Sequence, residues 1–424
     1  MPNAFDELLW RGLVYDATEG AGELLSAGRI TAYAGFDPTA SSLHVGHLLP
    51  ALMLARLQQL GHTPIAIVGG GTGMIGDPSG KSQERNLLSR EVIDANVTAI
   101  RAQLARFLDF DRADHPARIV NNVDWLGAID LLTFLRDAGK HFTVSYMLQK
   151  ESVNRRLQSE SGISYTEFSY LVLQAYDFLQ LFDRYGCVLQ VGGSDQWGNI
   201  TAGIDLIRKL RGHKAFGLVM PLITTASGTK FGKTEAGAVW LDSERTSPYK
   251  FYQFWLNTDD RDVALYLKYF TFLDRDAIRD LEATVHAAPE QRTAHRALAR
   301  EVTTIVHGAE QLGRVERASA LLFTEDITTL SPTDVLAVLG DVPSTELPAA
   351  DFSGEGVGIV DLVARIRLAP SKSEARRLVQ SGGVYVNNRR RADPQDRIAG
   401  LDAIGNELVV VRKGARELHV VRLT

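Results

Sequence analysis

Cysteine is almost missing from this chain: Cys187 is the single one among 424 residues. An internal disulfide framework is therefore excluded, a reducing compartment is expected, and no structural zinc site can be built on cysteine; a metal held by the pair His44 and His47 is an alternative that is not adopted, and no metal site is expected. Long apolar runs are missing as well. No stretch approaches the roughly 18 residues needed to cross a bilayer, and Met1 to Gly12, which contains Asp6 and Glu7, lacks the apolar core of a secretory signal. A cytoplasmic protein with no membrane partner is expected. Repeats and low-complexity tracts are also absent, and 45% hydrophobic with 23% charged residues is the composition of an ordered globular chain. The length exceeds what one hydrophobic core serves, so two or three domains are expected.

What is present begins with an uneven charge. Residues 361–424 hold 13 Lys/Arg against 7 Asp/Glu, so within a net charge of −5 the first 360 residues carry −11. A basic tail on an acidic body suits a polyanionic partner or a merely solvated surface, and charge alone does not choose between them.

From Ile30 to about Thr224, apolar strand-like runs (Thr31 to Gly35, Pro64 to Val68, Arg118 to Val123, Cys187 to Val191) alternate with amphipathic helical patterns. That alternation predicts an α/β fold, a parallel sheet wrapped by helices, with ligands in the crevice beyond the carboxyl ends of the strands. Apolar spacing of three and four residues predicts helices from about Ser247 to Thr324. Pro, Gly, Ser and acidic residues then suggest a linker, and strand signals at Gly383 to Asn387 and Leu408 to Val411 mark a small α/β piece. The expected division is 1–246, 247–330, a linker at 331–357, and 358–424.

Two glycine motifs invite misreading. Gly71-Thr72-Gly73-Met74-Ile75-Gly76 fits the dinucleotide pattern, which would make a nicotinamide dehydrogenase. That pattern needs a helix opening on its glycines, and Asp77-Pro78-Ser79-Gly80 interrupts at once. Gly80-Lys81-Ser82 resembles the end of a phosphate loop, but the glycine required five residues earlier is Ile75. A glycine-rich strap bringing Lys81 and Arg85 near an anion is the better reading, beside a plain exposed loop.

More specific is the segment from Asp37 to His47 just beyond the first strand. Ser41 and Ser42 are N-cap candidates there, and His44 and His47 share one face at the start of a helix running to about Leu60. Backbone N–H groups and the helix dipole favour an anion at such a position. Gly46 leaves room for a flat ligand to approach the backbone. The second element, Lys230-Phe231-Gly232-Lys233-Thr234, puts two lysines in a glycine-punctuated loop, able to act as point charges on a polyphosphate. Farther back, Tyr170, Gln174 and Asp177 fall at i, i+4 and i+7 on one helix face, a substrate wall or a polar surface stripe.

Together these motifs resemble those of bacterial-type tyrosyl-tRNA synthetases, class I aminoacyl-tRNA synthetases. His44-Val45-Gly46-His47 is similar to the family's HIGH motif and Lys230 to Thr234 to its KMSKS loop. The runs Tyr165 to Phe178 and Gln190 to Asn199 resemble tyrosine-enzyme motifs in particular, and the similarity spans essentially the whole chain. The resemblance implies a Rossmann-like parallel-sheet catalytic domain, an all-helical domain and a small α/β RNA-binding C-terminal domain. It also implies ATP with Mg2+ as co-substrate and no tightly bound cofactor, tRNA(Tyr) and L-tyrosine as partners, and a homodimer.

By the same resemblance, Tyr170, Gln174 and Asp77 hold the α-ammonium of tyrosine, Gln196 lies near its carboxylate, and Asp177 and Tyr33 bond the phenolic hydroxyl. Gly35, Asp37, Gly193 and Asp195 belong to the ATP site with His44, His47 and Lys233. Thr39, His44, Gly46, His47, Lys81, Arg85, Lys230, Lys233 and Thr234 serve the transfer to the α-phosphorus. The tail looks like a module shared with a small-subunit ribosomal protein and pseudouridine synthases. Its Arg365, Arg367, Lys372, Arg376, Arg377, Arg389, Arg390 and Arg391 would face tRNA, as would Lys150, Arg208 and Lys209 on the body. A tryptophan-activating relative and an RNA-binding protein without activity are the alternatives; Tyr33 and Asp177, poised for a hydroxyl, argue for tyrosine.

Overall fold

The computed structural model describes residues 3–79, 87–158, 162–226, 228, 231–234, 237–321, 327–329, 331–339, 342–414 and 417–424, with Lys233 and Thr234 among those described in backbone only. The chain forms two compact units, Met1–Asp242 with Thr258–Glu301, and Ser243–Asn257 with Val302–Thr424.

The first unit is built on six strands, β1 (Asp16–Ala17), β2 (Thr31–Phe36), β3 (Thr63–Val68), β4 (Arg118–Asn121), β5 (Cys187–Gly193) and β6 (Phe216–Met220), in the order β1-β6-β5-β2-β3-β4. All neighbours are parallel except β1, which runs antiparallel to β6. The run of β3 is almost wholly buried, as expected where helices cover both faces of a parallel sheet. Tyr33, Ile65, Ile67, Phe178 and Leu206 sit in the core between sheet and helices. The chain winds outward through β3 and β4 on one side of β2 and through β5 and β6 on the other. The order therefore reverses between β2 and β5, the junction beyond which open α/β folds bind their ligands.

Three details depart from the sequence expectation. The strand predicted to Val123 stops at Asn121, and Asn122 turns into a short helix, Val123–Leu126. The two-residue β1 is too short to register as a periodicity. The helices between 247 and 330 do not form a unit of their own. Asp260–Phe270 belongs to the first unit, where Arg11 donates to the carbonyls of Lys268 (3.0 Å), Thr271 (3.2 Å) and Leu273 (2.6 Å), and Arg56 donates to that of Thr271 (2.7 Å). Pro248–Leu256 belongs to the second, where Phe251 meets the ring of His307 at 4.7 Å.

In the second unit, the stretch read as a linker at 331–357 carries a helix, Pro332–Leu339, and a strand, β9 (Ser344–Leu347). Besides a two-residue β7 (Lys233–Thr234) and β8 (Gly237–Ala238) in the first unit, the remaining strands are β10 (Val357–Gly358), β11 (Val384–Val386), β12 (Arg389–Arg391), β13 (Arg397–Ile398), β14 (Leu408–Lys413) and β15 (Glu417–Leu423). The main sheet has the order β12-β11-β14-β15-β9, and β9 pairs parallel with β15. As an edge strand β9 needs little apolar surface, which is why its sequence, Ser-Thr-Glu-Leu, looks like loop. Helices Ile359–Arg365 and Lys372–Gln380 bury Ile359, Leu362, Val363, Ala375 and Val379 against this sheet.

Candidate active site

His44 is itself the N-cap of the helix Val45–Gln59; neither Ser41 nor Ser42 takes that role. Its Nδ1 accepts from Gly46 N–H at 3.0 Å, while His44 N–H donates to Nδ1 of His47 at 3.3 Å. This reciprocal capping box satisfies two helix-end donors at once. Both imidazoles accept at Nδ1, so as neutral rings they carry the proton at Nε2. The two rings stack at 3.9 Å between centroids. A Cβ on Gly46 would lie 2.8 Å from Cε1 of His44. The room that glycine leaves is thus filled by the folded-back imidazole, not left open to a flat ligand.

The second motif lies alongside. Val45 N–H donates to Val239 O (2.9 Å), Leu241 N–H to Leu43 O (2.8 Å) and Val239 N–H to Gly232 O (3.1 Å). The backbone around the histidines and the backbone after the lysine loop are thereby zipped together. Lys230, Lys81 and Arg85 lie outside the described residues.

Around the reversal point, where folds of this kind place their ligand crevice, lie Tyr33 and Gly35 on β2, Asp37 and the exposed Thr39 just beyond it, and Gly193, Asp195 and Gln196 at the end of β5. A polar chain runs through this region. Tyr170 donates its phenolic hydrogen to Asp37 Oδ2 (2.8 Å), Thr72 donates to Asp37 Oδ1 (2.7 Å), and Asn122 donates to Thr72 Oγ1 (2.9 Å) and to Asp177 Oδ2 (2.9 Å). Trp125 Nε1 completes it by donating to Asp177 Oδ1 at 2.7 Å. Burial pushes the Asp177 carboxyl up to about 7, opposed in part by the bonds from Asn122 and Trp125. Burial, reinforced by the charge of Asp177, likewise holds the Tyr33 phenol well above its ordinary value. The Tyr33 hydroxyl has no hydrogen-bond partner among the described residues. Nor does Oε1 of Gln190, its register partner on β5.

A second network lies on the amide side. Gln196 donates to Asp77 Oδ2 (2.8 Å), Gln174 donates to Gln196 Oε1 (3.3 Å), and Asn199 donates to Gln174 Oε1 (3.0 Å) and Gln196 Oε1 (3.2 Å). The structure thus joins Asp77, Gln174 and Gln196 directly, and places Tyr170 and Asp177 at separate points of the first network. The helix Tyr165–Tyr185 supplies Tyr170, Gln174 and Asp177 from one face. It is capped by Ser164 and ended by Gly186 in the left-handed region.

Sequence reasoning passed over Asn122, Trp125, Thr72 and Asn199. Asn122 would have carried a signal only with the strand ended at Asn121, since residues just after a strand end are candidates, but that strand was expected to run to Val123. Trp125 had none, because its partner is 52 residues away in sequence. The glycine run that mimics a nucleotide fingerprint is a close-approach device. A Cβ on Gly73 would come within 2.9 Å of Pro38 Cδ and one on Gly71 within 3.0 Å of Leu126 Cδ1, and Thr72–Met74 makes only a single 3-10 turn.

Of the basic residues expected to meet tRNA, several are paired within the chain. Arg365 binds Asp351 (2.6 Å), Lys372 binds Asp361 (2.7 Å), Arg391 binds Asp402 (3.0 Å), and Arg208 and Lys209 both bind Asp205. Arg390 donates to the Gly382 carbonyl, and Lys150 lies 4.1 Å above the Tyr146 ring. Arg367, Arg376, Arg377 and Arg389 are exposed.

A reversal of strand order between β2 and β5, with paired histidines capping the helix beyond β2, is the frame of a nucleotide-using α/β enzyme. Residues 25–324 match the family described as tRNA synthetases class I (W and Y), and the chain belongs to it. Residues 335–421 match the tyrosine–tRNA ligase SYY-like C-terminal domain. The chain is 57% identical over 423 residues, 100% of both chains, to the tyrosine–tRNA ligase of Roseiflexus castenholzii. It is 52% identical over 421 residues, 98% of each, to that of Geobacillus stearothermophilus. Among solved structures, a C-terminally truncated mitochondrial tyrosyl-tRNA synthetase of Aspergillus nidulans superposes with a TM-score of 0.69 at 32% identity, covering 76% of this chain and 95% of that one.

Proposed function

We propose that this protein activates L-tyrosine with ATP to tyrosyl-adenylate, releasing pyrophosphate, and then transfers tyrosine to the 3′ end of tRNA(Tyr). The observation that carries the choice of tyrosine is the buried Tyr33 hydroxyl, lacking a partner among the described residues, beside Asp177 held by Asn122 and Trp125. A phenolic hydroxyl entering there bonds to both groups. Phenylalanine would leave them buried and unpaired, a basis for discrimination long known in tyrosine-activating enzymes.

At the other end the donors are already committed. The hydrogen of Tyr170 goes to Asp37, so its oxygen remains an acceptor, and Gln174 Oε1 keeps a lone pair beyond the one facing Asn199. With the Asp77 carboxylate these acceptors suit an α-ammonium, and Gln196 is adjacent for the carboxylate. That carboxylate is already ionised at neutral pH and attacks the α-phosphorus in line without a general base. Catalysis then rests on position and on charge stabilisation at the departing pyrophosphate. We assign this to Thr39, His44, His47, Lys81, Arg85, Lys230, Lys233 and Thr234, with Asp37, Gly35, Gly193 and Asp195 toward the nucleoside. Mg2+ arrives as part of the Mg·ATP substrate.

We assign residues 358–424 to RNA binding, with Arg367, Arg376 and Arg377 foremost, and place the enzyme in the cytoplasm. The exposed apolar residues Leu131, Leu132, Val144, Leu148 and Tyr165 support a homodimer. ATP–pyrophosphate exchange with tyrosine, phenylalanine and tryptophan in parallel tests the reading. Exchange with tyrosine alone is expected; exchange with none of them would leave an RNA-binding protein without activity.

A further inference from the structure

The helix Asp260–Phe270 touches no substrate group named above, yet three of its residues meet the segment that carries the lysine loop. Asp262, Tyr266 and Phe270 lie at i, i+4 and i+8, one stripe along the helix. Asp262 is 8% exposed, and its Oδ2 accepts from Ala226 N–H at 2.9 Å. Phe231, 6% exposed, stacks on Phe270 at 5.3 Å and 18°, and meets Tyr266 edge-on at 5.0 Å and 68°. Phe231 N–H also donates to Ile223 O (3.3 Å).

Next to it Gly232, at φ +79°, lies so close to the histidine helix that a Cβ would come within 2.6 Å of Val45 Cγ2. Phe231 and Gly232 are the two residues between Lys230 and Lys233. The sequence shows them only as filler within a basic motif. The structure makes them its fixed point: one is seated on the helix stripe and the other lies against the segment bearing His44 and His47.

We propose that Asp262, Tyr266 and Phe270 are positioning residues for ATP activation, a seat that sets the register of the lysine loop against the histidine pair. Two features give the seat its rigidity. The aromatic contacts bury Phe231 from two sides, each contributing beyond its buried area. The carboxylate of Asp262 holds the backbone at Ala226, so two described residues flanking Lys230, Ala226 and Phe231, are each held by this helix. A lysine displaced by about 1 Å loses much of its stabilisation of a developing phosphate charge, because that stabilisation requires preorganisation. The effect falls on the step that releases pyrophosphate. Tyrosine binding uses Tyr33, Asp77, Tyr170, Gln174 and Asp177, none of which touches the seat. Transfer to tRNA follows pyrophosphate release.

The inference rests on the tyrosine-activating reading, and the experiment separates the two. Single-turnover adenylate formation, equilibrium tyrosine binding, and transfer from preformed enzyme-bound tyrosyl-adenylate to tRNA are measured for the full-length protein and for Asp262→Ala, Asp262→Asn and Tyr266→Leu. Thermal unfolding serves as the check on folding. Asp262→Ala and Tyr266→Leu should slow adenylate formation about tenfold or more, with tyrosine affinity and transfer within about twofold of the parent. Asp262→Asn should restore most of the rate, because its amide oxygen still accepts from Ala226. If the parent forms no adenylate, the activity reading fails. If the parent is active and both disrupting variants keep its rate, or lose binding and transfer to the same degree as adenylate formation, the seat is overturned. A variant that does not fold leaves the decision to the other substitution on the stripe.

Discussion

Tyr33 is 1% exposed, and its hydroxyl meets no partner among the described residues, an arrangement that costs stability unless a ligand completes it. Tyr33→Phe should therefore leave the apo unfolding temperature unchanged or raise it, while preference for tyrosine over phenylalanine in pyrophosphate exchange falls roughly tenfold. A lower unfolding temperature with intact preference would place the hydroxyl's partner elsewhere. Asp177 makes a pH prediction. Its carboxyl is raised to about 7 by burial, against about 4 in an unfolded chain. Between those values the folded state keeps a proton that the unfolded state has lost. Stability therefore falls as pH rises through that window, by roughly 1 kcal/mol per pH unit. Unfolding midpoints at about pH 5 and pH 7 should differ less in Asp177→Asn than in the parent; equal differences would show that another group sets the slope. Helical spacing put Asp177 on one face with Tyr170 and Gln174 but left a polar surface stripe equally open; the family resemblance singled it out. Asn122 and Trp125, which hold it, come from a different strand end and were not legible.

Arg11 and Arg56 show what a periodicity cannot reveal. Arg56 sits within the apolar face of the helix Val45–Gln59, 3% exposed, and burial lowers its guanidinium to about 9. Together with Arg11 it binds carbonyls at the end of Asp260–Phe270. Cations there complement the negative end of the helix dipole and satisfy carbonyls that no later turn can reach. Arg11→Ala would strand the Lys268 and Leu273 carbonyls, while Thr271 O keeps its bond from Arg56, and should lower stability by about 2 kcal/mol. A shifted urea midpoint at constant m-value would report it, and a change below about 0.5 kcal/mol would mean that water replaces the guanidinium. The strands β2, β3 and β5 were readable because a parallel sheet buried on both faces demands uninterrupted apolar runs. The strand β9 was not, because an edge strand does not.

Across the whole chain, the basic tail is less uniformly available than its composition suggests, since Arg365, Lys372 and Arg391 are tied to nearby carboxylates. Arg376 and Arg377 are exposed on one helix turn, and phosphate contacts there release counterions. Replacing both with alanine should lower the slope of log affinity for tRNA against log salt by about 1 to 2 and weaken binding, while leaving tyrosine-dependent pyrophosphate exchange unchanged. An unchanged salt slope would move the RNA-binding face elsewhere on the tail.

By itself the sequence determined the α/β class, the helix that opens with the histidine pair and the helical stripe of Tyr170, Gln174 and Asp177. Each of these is local, fixed by the spacing of residues within one element. Tertiary structure alone decided that Asn122 and Trp125 hold Asp177, that Asn199 ties Gln174 to Gln196, that Arg11 reaches across 257 residues to Lys268, and that Phe231 is seated on Tyr266 and Phe270. Those contacts depend on which strand ends and helix faces the sheet brings together, and no spacing along the chain records that.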